Sequence, residues 1–181
     1  MKTSVLLFIV GALALPSVAS AQDAIDQILL GAPARLREAA SVIKWNADYT
    51  HEVVKKGTNQ LVCYARSGED RRPAYAVQCT SMGNLDRVAQ NRRFRAEGKT
   101  SDGEKALVDA AEKNGTRVKP EYGAPWISTN GPDAMKAGTH TTIAVPDATA
   151  ASTGLPVKPG KGGAWIMDAG TTTAHIMLPG Q

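Results

Sequence analysis

Two cysteines, Cys63 and Cys79, sit inside two short runs rich in Val, Tyr and Ala, residues 60–65 and 74–80, and the chain has no others. Between the runs lies a polar loop, Arg66-Ser67-Gly68-Glu69-Asp70-Arg71-Arg72-Pro73, with Gly68 and Pro73 as punctuation. The pattern is that of a β-hairpin. In an oxidising compartment an even cysteine count reads as a disulfide framework, here a single bond across the two strands. Such a bond stabilises by roughly 3 kcal/mol in the chain-entropy model. A catalytic dithiol would need its cysteines close together, and Cys-x-x-Cys is absent.

The compartment follows from the first residues. Lys2 is a positive start, residues 5–15 form an apolar run, Pro16 breaks it, and Ala19-Ser20-Ala21 fits the small-x-small cleavage rule. Residues 1–21 therefore read as a signal peptide, and the run is too short to span a bilayer, which takes about 20 apolar residues. The mature chain, residues 22–181, has the length of one domain with a core. No later stretch is apolar enough for a transmembrane segment, so the expected location is the periplasm or outside the cell. The formal charge is +4, and Lys2 leaves with the leader. A balance this mild does not imply nucleic acid.

Along the mature chain, residues 23–30 form an amphipathic helix candidate stopped by Gly31 and Pro33, and residues 35–40 a second helical turn. Alternation begins at Ser41, and residues 51–56 form another strand. Residues 84–96 carry a helical period, with Asn84 as the expected cap. Ser101 and Glu104 have capping-box spacing. Ala106, Leu107, Ala110 and Ala111 trace an apolar stripe behind them, and Asn114-Gly115 is a left-handed stop. Pro125 lacks a ladder donor, which places the run 123–129 at a sheet edge or a strand start. Strands follow at 139–146, 162–168 and 174–178, the last two as a hairpin. A long loop rich in Pro and Gly, residues 146–163, is expected against the face of that hairpin. Strands, then two helices, then strands again make an α+β domain: a mostly antiparallel sheet with two central helices on one face.

The C-terminal strands hold the candidate site. By strand alternation His175 and Met177 share a face, as do Trp165 and Met167, and His140 joins them if its strand pairs alongside. Imidazole and thioether ligands in an oxidising compartment suit copper. The commoner role for Met and Trp is core filling, and no His-x-x-x-His or Met-rich repeat is present. His51-Glu52 begins a zinc-protease motif that Lys55 breaks. Gly-x-Ser-x-Gly is absent. An acid–base pair of His140 or His175 with Asp168 or Asp147 is geometrically conceivable. Arg66, Arg71, Arg72, Arg87, Arg92, Arg93 and Arg95, with Lys99, crowd the middle third. Arginine forks suit phosphate or carboxylate, although a charge run is more often a solvated face. Few aromatics interleave it, which removes nucleic acid as a partner.

Several stretches resemble a set of exported bacterial proteins that carry no assigned function. They are Gly57-Thr58-Asn59 leading to Val62-Cys63, the second cysteine Cys79, the His140 strand ending at Pro146, and Gly162-Gly163-Ala164-Trp165-Ile166-Met167 with Ala174-His175-Ile176-Met177-Leu178-Pro179. The resemblance implies a bacterial periplasmic or secreted location and supplies no activity.

The expectation is therefore a small exported binding or envelope-associated module with no cofactor. It would act on a small molecule or an anionic envelope component. Its site is the surface around His140, Trp165, Met167, His175 and Met177, overhung by the 146–163 loop. The alternative is a copper or zinc protein, or a hydrolase, using His140 and His175.

Overall fold

The computed structural model describes residues 18–161 and 163–178. The leader up to residue 17, Gly162 and Pro179 lie outside the described residues, while the expected cleavage site falls in the first helix, α1 (Val18–Leu29). Ile25, Ile28 and Leu29 of α1 pack on the sheet, and Tyr75 Oη donates to the Gln27 carbonyl at 2.8 Å. A short turn, α2 (Ala34–Arg37), leads to β1 (Ser41–Trp45), β2 (His51–Lys55), β3 (Leu61–Ala65) and β4 (Tyr75–Ser81). Two central helices follow, α3 (Leu85–Gly98) and α4 (Ser101–Asn114). The chain then returns to the sheet as β5 (Pro125–Gly131), β6 (Gly138–Ala144), β7 (Trp165–Met167) and β8 (His175–Met177), with a one-turn helix α5 (Ala150–Thr153) between β6 and β7.

All eight strands form one sheet in the order β2-β1-β3-β4-β5-β6-β8-β7. Every neighbouring pair is antiparallel except β1 with β3. The fold is the expected α+β arrangement. Cys63 and Cys79 stand directly opposite each other on β3 and β4 and are joined by a disulfide. Both are fully buried in the core under α1, with Val42, Val77 and Ile127. The other face of the sheet carries a second core, Ile43, Val62 and Tyr64, covered by Leu85 and Val88 of α3. The sheet is thus covered on both faces, by α1 on one and α3 on the other.

Several local details differ from the sequence expectation. Asn84 occupies the N-cap position of α3, as expected, but its side chain makes no capping bond. It is fully buried and ties loop to sheet: its Nδ2 donates to Thr80 Oγ1 at 2.7 Å and its Oδ1 accepts from the Glu121 backbone N–H at 2.7 Å. The cap of α4 is Thr100 rather than Ser101, its hydroxyl accepting from the Gly103 N–H at 3.0 Å. Glu104 is thereby released to bind arginines. Ala106 and Ala110 are exposed, and the inner side of α4 runs through Gly103, Leu107 and Ala111 instead. A Cβ on Gly103 would overlap the Gly98 carbonyl, so the two glycines let α4 start hard against the end of α3. Gly115 closes α4 in the left-handed region at φ 75°, as expected.

Pro125 lies at a strand start, within a central strand, where its missing donor costs nothing to the ladder. The 146–163 loop is not structureless. It contains α5, with a capping box between Thr149 and Ser152. Its Ala148 and Leu155 pack with Ile166, Ala174 and Ile176. Ile166 and Ile176 are directly paired and one residue out of phase with His175. The loop therefore covers the face opposite the histidines and does not overhang them, because the apolar side of the β7–β8 hairpin is the side that needed covering.

Candidate functional site

Residues directly opposite each other in adjacent strands share a face, so the strand register defines the site. One row across the α3 face reads Tyr64, Gln78, Ser128, His140. The next row reads Thr80, Trp126, Thr142, Met177, Trp165. The third contains Ala144, His175 and Met167. All five residues expected at the site, His140, Trp165, Met167, His175 and Met177, thus lie on one face of the sheet. The two histidines line one hollow; Trp165, Met167 and Met177 continue the same face towards the sheet edge.

The hollows lie between this face and α3. One, of about 220 Å³, includes His140, His175, Arg87 and Arg117 in its lining. A second, of about 280 Å³, includes Arg66, Arg72, Arg92 and Arg95. Gln78, Asn91, Trp126 and Ser128 line both, so the two meet as one cleft. The wall of the cleft is α3: Arg87, Asn91 and Arg95 recur every four residues, on one side of the helix.

Most arginines in this region are not solvated, contrary to the commoner reading of a charge run. Arg66 and Arg87 are buried. The Arg66 Nε and Nη2 both donate to Glu69 Oε2, at 3.1 and 3.0 Å. Arg92 and Arg95 also bind Glu69, and Arg95 reaches Glu104 at 3.0 Å. Arg71 binds the other Glu104 oxygen at 2.6 Å. Burial alone would raise the Glu69 pKa, but the surrounding guanidiniums win and hold it below the usual carboxylate range.

Arg72 has no such partner. Among the described residues its guanidinium makes no hydrogen bond or ion pair, and its Nε is buried. Burial, followed by repulsion from Arg66 and Arg95, pushes its pKa down to about 10, so it remains charged at neutral pH. Three further buried arginine Nε atoms also lack partners, those of Arg92 and Arg117 at the cleft and that of Arg37, which lines neither hollow. Arg66, Arg71, Arg72, Arg92 and Arg95 outnumber the three carboxylates near them, Glu69, Asp70 and Glu104, which leaves this end of the cleft with an excess of positive charge.

At the other end Arg87 donates to the Val118 carbonyl and to the hydroxyls of Thr172 (3.0 Å) and Thr173 (2.7 Å). Those hydroxyls in turn donate hydrogen bonds to Glu112 Oε1. Burial and Arg117 push Arg87 down to about 9. Arg117 is buried, donates to Gln90 and Asn91, and stacks over Phe94 with 5.3 Å to the ring centroid. His175 Nδ1 lies 2.8 Å from the Thr173 carbonyl, which makes Nδ1 the protonated nitrogen and Nε2 the acceptor. Asp168 is 3.9 Å from the same Nδ1.

The strand register sets the two histidines apart. His175 is opposite Ala144, four residues along β6 from His140, which is about 13 Å of strand. Side chains stand roughly perpendicular to a sheet, so the rings do not converge for metal–nitrogen bonds of about 2 Å. Among the described residues no three of His, Cys, Asp and Glu come together in a way that holds a metal ion. His51, at the sheet edge, stacks edge-on against Trp45 at 5.4 Å. Ser128 and His140 are cross-strand partners, but no hydrogen bond joins their side chains.

Residues that sequence reasoning missed are Gln78, Asn91, Arg117, Trp126 and Ser128. The alternation of Trp126 and Ser128, and the four-residue spacing from Arg87 to Asn91, were the available signals. Nothing local marked Arg117. Comparison with known protein families, curated proteins and solved structures found no match.

Proposed function

We propose that the protein is an exported, non-enzymatic binding module that holds an anionic ligand in the cleft between α3 and the sheet. The ligand is a small molecule or an acidic component of a bacterial envelope. One observation carries the reading: Arg72 is a charged, partly buried guanidinium with no partner, at the rim of a cleft where three buried arginine Nε donors are unmet. An unsatisfied buried donor costs about 1–3 kcal/mol, and an oxyanion satisfies it. Export is supported by the leader-like residues 1–21 and by the disulfide. Among the described residues no helix is long and apolar enough to cross a membrane. The alternative, a copper or zinc protein or a hydrolase built on His140 and His175, has less support because the strand register keeps the two rings apart.

The test is thermal melting of the exported protein with phosphate, sulfate or citrate at constant ionic strength. Saturation at a hundred times Kd adds about 2.7 kcal/mol, which corresponds to roughly 5–10 °C. The Arg72→Ala protein should lose this shift and melt, without ligand, within about 2 °C of wild type. No shift with any anion, or an equal shift in Arg72→Ala, refutes the proposal.

A further inference from the structure

Several free hydrogen-bonding groups of the cleft are donors. Arg66 can only donate, and both it (3.4 Å) and the Tyr64 hydroxyl (2.7 Å) meet Gln78 Oε1. This fixes the amide so that Nε2 points to Ser128, 3.1 Å away, with one hydrogen to spare. Arg117 likewise claims Asn91 Oδ1, and Asn91 Nδ2 meets no protein acceptor among the described residues. Arg72 adds a whole guanidinium. The acceptors nearby are already engaged: Glu69 by three arginines, Glu112 by two threonines. Phosphate, sulfate or carboxylate oxygens therefore find donors along the cleft.

The donors are also spaced. The arginine groups sit at the two ends of the cleft, and Trp126 lies between, in the row separating His140 from His175 and in both hollows. On α3 the end residues Arg87 and Arg95 are eight positions apart, about 12 Å along the axis, with Asn91 midway. A single small anion fills one end and leaves the other end unmet.

We infer, on the basis of the anion-binding role proposed above, that the ligand is an acidic disaccharide-sized molecule. It carries two oxyanion groups, one for each hollow. One group is held by Arg72 with Arg66, Arg92 and Arg95 beside it, and the other by Arg117, while a ligand hydroxyl donates to His175 Nε2. The ring face between them lies on Trp126, and Asn91, Gln78 and Ser128 donate to its oxygens.

The experiment is titration calorimetry on the exported protein at fixed ionic strength. The probes are a disaccharide with one sulfate on each ring, the same disaccharide with a single sulfate, and inorganic sulfate. The disulfated probe should bind at least tenfold more tightly than the monosulfated one. Arg72→Ala should bring it down to the monosulfated level without moving the melting temperature. Arg117→Lys, which keeps the charge but removes the fork, should do the same; if that variant melts early, Asn91→Asp, which sets a carboxylate on Arg117, replaces it, with a severalfold loss expected. Equal affinity for the two disaccharides, or an equal loss for both in Arg72→Ala, overturns the two-ended ligand and leaves the anion site standing. Absence of binding by all three probes, sulfate included, overturns the anion site as well.

Discussion

Glu69 shows how one side chain changes the meaning of a whole charged run. It accepts from Arg66, Arg92 and Arg95, and its side chain is only 12% exposed. Removing the charge leaves three clustered cations without their shared partner, so Glu69→Gln should destabilise by about 3 kcal/mol in urea unfolding, the usual cost of breaking a buried pair. The pH dependence has a definite sign. Glu69 is held below its ordinary value near 4.5, so its contribution is complete above that value and is lost as pH falls through the folded-state pKa. Glu112 moves in the same direction: burial opposes the shift, and hydrogen bonds from Thr172 and Thr173 outweigh it. The acid limb of the stability curve should therefore flatten in Glu69→Gln without vanishing. A curve parallel to wild type from pH 6 to 3 would contradict this. The arginines were visible in the sequence, but the turn that brings Glu69 under Arg92 and Arg95 of α3 was not, because that contact depends on how helix and hairpin pack.

At the scale of elements, the two central helices were legible from their period, their starts and the glycine stop, and the side chains that cap them were not. Thr100 and Ser101 are both able caps. Thr100 has the extended backbone a cap needs, at φ −118° and ψ 166°, while Ser101 is already in the helix. Thr100→Ala should cost about 1 kcal/mol and Ser101→Ala close to nothing; the reverse order in chemical denaturation would move the cap back to Ser101. The Asn84 side chain was misread for a related reason. Residues that cap helices are also those that satisfy buried backbone groups, and only the position of Glu121 shows which job Asn84 has. The C-terminal strands emerged as expected, with His140, His175, Trp165, Met167 and Met177 on one face. Their loop went to the other face, because Ile166 and Ile176 are its apolar side.

Across the whole molecule, the Cys63–Cys79 bond joins the third and fourth strands in an eight-strand order. It clamps the hairpin from which α3 departs, and both sulfurs lie in the core under α1. Replacing both cysteines by alanine should lower the unfolding free energy by roughly 3 kcal/mol; a loss below about 1 kcal/mol would show that strand pairing and the two cores hold the hairpin unaided. The α+β class, the hairpin and its staple, the helix period and the shared face of the histidines were all determined by the sequence itself. Each depends on spacing along a few residues of chain, where backbone geometry allows little choice. The cleft was decided only in three dimensions. Its floor comes from β4, β5 and β6, its wall from α3, and its unpaired cation, Arg72, from a loop. Whether a guanidinium finds a carboxylate or is left facing a hollow depends on which distant segments pack beside it, and no local pattern encodes that.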